Sequence, residues 1–464
     1  MLPIRTVLFT LLFVAAAAYA QDKKPESAAV QTPVALPPTE FAFGGDFRVR
    51  YEAYDSAQTL NCDAPFHIRD YFRLRLRTWE SYSPLPNLSF YGRLAAEPRY
   101  WFNNATTVSE GKEWKYAILD SLYSKWTTGP ASSPITFMLG RQDIQLGDQW
   151  LVGDGTPLDG SWTTFFDGAR VTIDAKSIKT KFDVIGFNQQ AHPKDHFPLL
   201  GRQGAYTLME QDENGAILYA SNKSIKNIQL DGYYIYKGDE KVTSNGNNGK
   251  AHTLGARVAG TPTAKWQYAV EGAYQWGHRD LQVRYPTTIT SSRDISAYAF
   301  NSRLTYLFKD ALNNQITFLA EYLSGDDPSS TDKDEMFDNL WGRYPRLGET
   351  WAVAYVPESG GRSSQYQNLF RTGATWTISP TKDTTIATTY CAMFAPEEVP
   401  TRTTNASLYS RDGNFRGHML QVVAKQKFTK VISGLLFAEA SFLGDYYTHH
   451  DTITFVRAEV LFTF

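Results

Sequence analysis

The chain has 464 residues and is 14% aromatic, with 28 Phe, 27 Tyr and 11 Trp, a density that suggests interfaces. Lys and Arg total 46 against 48 Asp and Glu, a formal net charge of −2. That balance excludes a globally basic nucleic-acid surface, so local charge placement must carry any functional argument.

The N-terminus reads as an export signal over residues 1–20. Arg5 is followed by the apolar run Val7 to Ala18 and by the small-x-small site Ala18-Tyr19-Ala20. Residues 21–40 are rich in Pro, Ala and charge without periodicity, which predicts a flexible periplasmic lead-in. No later apolar stretch approaches the roughly 18 residues that a spanning helix needs.

From Phe41 to Phe464 the pattern is that of strands, about 18 of them and mostly of roughly 9 to 14 residues, the length a tilted strand needs to cross a bilayer. Phe72-Arg73-Leu74-Arg75-Leu76-Arg77 is the clearest, with an arginine at every second position. Near the start of the run, Phe47, Val49, Tyr51 and Ala53 oppose Arg48, Arg50 and Glu52. At its end Val456, Ala458, Val460, Phe462 and Phe464 oppose Arg457 and Glu459.

The connections alternate between short and long. Short turns include Ser83-Pro84-Leu85-Pro86-Asn87, Gly129-Pro130-Ala131-Ser132, Lys176-Ser177, Pro262-Thr263-Ala264, Asp310-Ala311-Leu312-Asn313 and Ser379-Pro380-Thr381-Lys382. Long connections span 102–113, 143–163, 189–212, 238–250, 280–292, 325–364 and 395–413. Long loops on one side only are the mark of an all-β transmembrane antiparallel barrel of the outer membrane. A lipid-facing Arg at midplane costs about 2–4 kcal/mol, so three on one face would cost about 6–12, comparable to a domain's whole stability. The charged faces are therefore expected to line an aqueous lumen. Tyr71, Trp79, Tyr100, Trp101, Trp126, Trp266, Trp276 and Tyr446 fall near strand ends and predict interfacial girdles.

The expected lumen face carries Arg48, Arg50, Arg73, Arg75, Arg77, Arg93, Arg141, Arg170, Arg257, Arg303, Arg371 and Arg457, interleaved with Glu52, Glu97, Asp174, Glu271, Glu321, Glu439 and Glu459. Guanidinium ladders offer repeated weak sites for carboxylates or phosphates. The plainer reading is that these charges pair across strands and fill a hydrated lumen. Arg73, Arg75 and Arg77 have no acid on their own strand face, which makes them the leading anion-binding group.

Other signals are weaker. The acidic stretch from Asp326 to Glu335 fits no EF-hand spacing and reads as a solvated loop. His449-His450 point to opposite faces of an extended chain, so no metal site is expected. Cys62 and Cys391 lie too far apart for a disulfide framework and read as unpaired. No nucleophile elbow, HExxH or phosphate loop appears, so neither a catalytic residue nor a cofactor is assigned.

Leu139-Gly140-Arg141-Gln142 through Gly147-Asp148, then Trp162 and Phe166-Asp167-Gly168-Ala169-Arg170, resembles the alginate export family in the order of its segments. Phe337-Asp338-Asn339-Leu340-Trp341-Gly342 is similar to a second segment of that family. The resemblance implies an 18-stranded monomeric barrel in outer-membrane lipid. Such a barrel would passively conduct an anionic polysaccharide through a basic constriction of lumen arginines, with loops that fold in as gates and periplasmic export machinery as its partner. It carries Arg141 and Arg170 over to the conduit, and assigns Asp167 and Gly168 to shaping the strand start. The acids among the arginines depart from a strongly cationic lumen, so a porin for smaller anionic solutes fits the same residues. A barrel-embedded hydrolase would need Ser, His and an acid grouped at a loop rim. A secreted glycan-binding β protein is disfavoured by the one-sided loops.

Overall fold

The computed structural model describes residues 40–103, 111–153, 165–192, 200, 207–283 and 289–464. The export signal, the lead-in before Glu40, and Trp162 lie outside them. The described strands form one closed antiparallel sheet. In chain order they are β1 (Glu40–Asp55), β2 (Ile68–Leu85), β3 (Leu88–Asn103), β4 (Gly111–Thr128), β5 (Ile135–Gln142), β6 (Phe166–Ala175), β7 (Thr180–Gln189), β8 (Gln211–Asn222) and β9 (Ile228–Lys241). They continue as β10 (Asn248–Thr263), β11 (Trp266–Val283), β12 (Ile289–Leu307), β13 (Gln315–Leu323), β14 (Lys333–Asp334), β15 (Leu369–Thr381), β16 (Thr384–Phe394), β17 (Phe415–Lys427), β18 (Ile432–Leu443) and β19 (Thr452–Thr463).

β14 is a two-residue piece that runs parallel beside β12. Among the described residues the other eighteen make the barrel, closed by β1 on β19 from Asp46↔Thr463 to Asp55↔Thr454. Closure leaves no open sheet edge, which hydrocarbon would not tolerate.

Alternation decides which face points where. Along β1, Arg48, Arg50 and Glu52 are buried while Phe47 is exposed; along β8, Glu213, Ile217 and Tyr219 are buried while Leu218 is exposed. The exposed apolar set, including Leu76, Leu139, Leu254, Phe318 and Val456, forms the lipid-facing belt. Several strands are longer than expected: β2, β4 and β11 have 18 residues and β12 has 19. β9 and β10 run on through much of the expected 238–250 loop and leave only 242–247 between them. The connection 56–67 was not read as long from sequence.

Trp126, Trp266 and Trp276 are exposed as girdle residues should be, but Tyr71, Trp101 and Tyr446 are buried. Tyr71 has the parity of Arg73 and so faces inward, its ring centroid 4.2 Å from that of Trp101. Trp101 has the parity of Arg93 and Glu97 on β3 and so faces inward as well. Tyr446 packs against Tyr409 and Tyr447 under the Arg416 guanidinium. Cys62 and Cys391 are unpaired.

The lumen is not left to water and charge alone. Residues 143–153 and the loop 324–368 fold inward, and Ile144, Trp150, Leu151, Phe337, Leu340, Trp341, Trp351 and Tyr355 join one apolar cluster with the wall residues Ile185, Phe187, Ile217 and Ile235. The short helix α1 (Glu349–Ala354) sits within that loop.

Candidate functional site in the barrel lumen

All twelve arginines expected on the lumen face have carboxylate partners. Arg75 and Arg77 share Asp46, at 2.8 and 2.7 Å. Arg73 pairs with Glu97 at 2.9 Å, Arg50 with Glu459 at 2.6 Å, and Arg457 with Glu52 at 2.6 Å. Arg48 lies 3.9 Å from both Glu97 and Glu459. Arg93 holds Asp120 and Asp143, Arg170 holds Asp183, and Arg371 holds Glu321. Arg257 and Arg303 share Asp148, each at 2.7 Å. The β2 trio, which has no acid on its own strand face, thus finds acids on β1 and β3.

The register nevertheless sets like charges side by side. Arg48 is opposite Arg75, and Arg50, Arg73 and Arg99 stand in a row across β1, β2 and β3. Like charges directly opposite are destabilising in a sheet. Among the described residues Arg48, Arg50, Arg73, Arg75, Arg77, Arg99 and Arg457 share the carboxylates Asp46, Glu52, Glu97, Glu349 and Glu459, and Glu113 is opposite Arg99 on β4. The most accessible of these guanidiniums among the described residues are Arg303, with 46% of its side chain exposed, Arg170 with 24%, Arg99 with 19% and Arg77 with 17%. Arg303 lies towards the short-turn end of its strand.

Arg141 has a different surrounding. Its side chain is only 2% exposed. It grips Asp167 with two bonds of 2.7 Å, donates to the Leu119 carbonyl, and lies 3.7 Å over the Phe165 ring. In the β5–β6 ladder Gly140 is opposite Gly168 and Arg141 opposite Asp167, while Gln142 donates to the carbonyls of Gly140 and Gly168. A Cβ on Gly140 would sit 2.2 Å from the Leu122 carbonyl oxygen at a φ of +123°. The residues of this segment therefore brace the wall, with the Arg141 guanidinium held inside it by Asp167 and Leu119.

The second motif does equivalent work for the loop. Trp341 donates its indole N–H to Glu213 at 2.7 Å, Leu340 and Phe337 are fully buried, and Trp150 stacks on Phe337 with centroids 5.9 Å apart. Asp338 meets Lys237 and Arg279 at 3.2 and 3.0 Å. Burial alone would push its carboxyl up, but Lys237, Arg279 and Arg343 outweigh burial and hold it well below the usual carboxylate range. Asp148 follows the same logic: burial opposes ionisation, and the hydrogen bonds from Arg257 and Arg303 prevail and lower it.

The resemblance implied loops that fold inward; sequence reasoning did not give which loops these are or which residues hold them. Glu439, read as a lumen acid, accepts the backbone N–H groups of Glu349 and Thr350 at 3.1 and 2.9 Å and so caps α1 from the wall. Arg416 and Glu358, named by neither motif, form a buried pair between wall and loop.

Among the described residues no group of acids, His and Cys could hold a metal ion. In the acidic stretch, Asp334 is taken by Arg279 and Arg402, and Asp326 accepts from Thr401. One Ser-His-acid group lies at a loop rim: Asp55 and Ser56 both approach the same nitrogen, Nδ1, of His67, at 2.9 and 3.3 Å. A relay needs the serine on one ring nitrogen and the acid on the other.

The family described as Alginate export matches residues 40–458. The chain belongs to the alginate export family. Its barrel is also similar to solved outer-membrane porin structures of Pseudomonas aeruginosa. OccK7 (OpdD) aligns with a TM-score of 0.52 at 10% identity over 92% of this chain and 99% of that one. For OccK8 (OprE) the figures are 0.52, 10%, 92% and 98%, and for OccK2 (OpdF) 0.51, 9%, 91% and 97%. At such identity the likeness shows the fold. No curated protein sequence matches. This alginate-export barrel is a channel of the Gram-negative outer membrane.

Proposed function

We propose that the barrel is a passive, monomeric conduit for anionic solutes, moving carboxylates of the alginate type past the arginines of β1 to β3. The observation that carries this reading is the row Arg50, Arg73, Arg99 beside the pair Arg48 and Arg75. Evolution of a merely filled lumen has no reason to keep like charges opposite one another, because each such placement works against the sheet. Guanidiniums set side by side give a passing anion a sequence of exchangeable partners, weak enough to leave.

A second version of the reading concerns size. The apolar packing of 143–153 and 324–368 inside the wall narrows the lumen, which favours short anionic chains or small solutes over a wide polymer.

The test is ion selectivity in planar bilayers, read as reversal potential in a salt gradient, with an oligouronate as blocker. Anion preference with block is expected, and joint replacement of Arg73, Arg75 and Arg77 by Gln should weaken both. Cation preference without block would overturn the reading and leave the barrel intact.

A further inference from the structure

The tetrapeptide Lys-Ser-Ile-Lys occurs at 176–179 and again at 223–226, and the fold sets the two copies side by side. The first copy is the β6–β7 turn and the second opens the β8–β9 turn. Pairing of β7 with β8 begins at Thr180↔Asn222, so the turns adjoin. The Lys223 N–H donates to the Lys179 carbonyl at 2.9 Å, and the Asn222 side-chain amide donates to the Ile178 carbonyl at 3.0 Å and to Thr180 Oγ1 at 2.7 Å. Every residue of both copies is exposed, Ile178 to 53% and Ile225 to 49%.

Neither copy contains an acid. Lys176 gives its ammonium to the Ala131 carbonyl of the neighbouring turn at 2.6 Å, whereas Lys179, Lys223 and Lys226 meet no carboxylate among the described residues. The other described turns at this end of the barrel carry lysine and no arginine, and acids only at Asp310 and Asp383. That is the reverse of the lumen, where guanidiniums prevail and are paired. An ammonium on a flexible stem can follow a mobile anion, while a guanidinium suits a fixed fork of oxygens.

Depth decides which anion is within reach. The exposed girdle residues Trp126 and Trp266 stand at the same end of the barrel, close to the turns, and aromatic girdles mark the membrane interface. The two copies, just past the strand ends, therefore lie at the level of the lipid phosphates. They also continue into the lipid-facing belt, since Phe182, Val184, Leu218 and Leu230 are exposed on the strands that leave them, with Val184 opposite Leu218. An isoleucine between two lysines fits that boundary: its side chain and the lysine stems lie along acyl chains while the ammonium groups reach the headgroups.

We propose that the twin turns form a headgroup site for anionic phospholipid, such as phosphatidylglycerol, in the turn-side leaflet. The site needs only the barrel and does not rest on the conduit reading. Lys223 and Lys226 also border, with Arg303, a cavity of about 490 Å³ at the turn end of the wall, which Lys176 and Lys179 do not line. Drawing solute towards the lumen would engage the second copy alone; lipid engages both.

The full barrel is placed in phosphatidylcholine vesicles holding a minor share of phosphatidylglycerol, and native mass spectrometry reads the ratio of the two lipids retained on the protein. Phosphatidylglycerol should be retained above its share. Lys179→Gln, Lys223→Gln and Lys226→Gln should each lower that excess, by at most about fivefold, the weight of one basic residue at an anionic surface. The triple Gln variant should retain the lipids in proportion to supply, the triple Arg variant should keep most of the excess, and heat-modifiable migration reports that each is folded. Retention in proportion to supply by the unaltered barrel, or an excess unchanged in the folded triple Gln variant, overturns the site. An unchanged excess together with lost binding of a polyglutamate peptide would assign the lysines to an acidic protein chain instead. An unchanged excess together with a shifted reversal potential would assign them to the lumen, and either result also overturns the proposal.

Discussion

Arg416 and Glu358 form a two-pronged ion pair, at 2.7 and 2.6 Å, in which neither side chain reaches solvent. Arg416 belongs to β17 and Glu358 to the inward loop, so the pair ties plug to wall. Removing one member of such a pair leaves a buried charge alone, at a cost of about 3–5 kcal/mol, whereas replacing both with apolar groups of similar volume costs far less. Glu358→Ala should lower the urea midpoint of vesicle-embedded barrel sharply, and Glu358→Leu with Arg416→Met should recover most of it. Equal losses in the single and double variants would remove this pair as the tie.

Acid should loosen the same loop through Asp338. Its folded pKa is depressed, so its stabilising contribution is complete above the unfolded value of about 3.9 and disappears as pH falls through the folded value. Proteolytic nicking of residues 324–368 should stay constant from neutrality to about pH 4 and rise below that. Asp338→Asn should be nicked readily at neutral pH and show a weaker acid response.

Asp46 restrains two guanidiniums at once. Asp46→Asn releases both Arg75 and Arg77 to passing anions, and a gain of about 1 kcal/mol for one charge in aqueous surroundings corresponds to roughly a fivefold rise in anion-over-cation permeability. A reversal potential that does not move towards the anion limit would show that these arginines do not face the conducting path.

Gly140 is held at a positive φ against the β4 backbone, so Gly140→Ala must displace a strand or adopt a strained conformation costing about 1–3 kcal/mol. Folded yield should drop, while channels that do fold should keep their selectivity. Loss of selectivity at normal yield would instead place this segment in the conduit.

The barrel was legible because strand alternation is local: the parity of Arg73, Arg75 and Arg77 fixes a face without any knowledge of the neighbours. The same parity already placed Tyr71 inside, and only the general habit of aromatic girdles argued otherwise. Trp101 was legible in the same way, from its parity with Arg93 and Glu97. Which loops fold in, and what holds them, was not legible. Leu340, Trp341 and Glu439 acquire their roles only when segments about a hundred residues apart in sequence meet, and nothing in a loop's composition tells whether it folds outward or in. Arg141 shows the converse limit: a motif identifies a family without stating whether its residues touch solute or hold strands together.

The junction of β1 and β19 also bears on biogenesis. Gly45 and Phe464 exchange backbone hydrogen bonds at 2.9 and 3.0 Å, so the final residue seals the first strand. Until the last strand is delivered, the nascent sheet carries two raw edges, each able to pair with any other extended chain in the periplasm. Shielding those edges until closure is therefore a demand that the fold itself makes, and C-terminal truncation should reach the cell as an aggregation defect before it is felt as a transport defect.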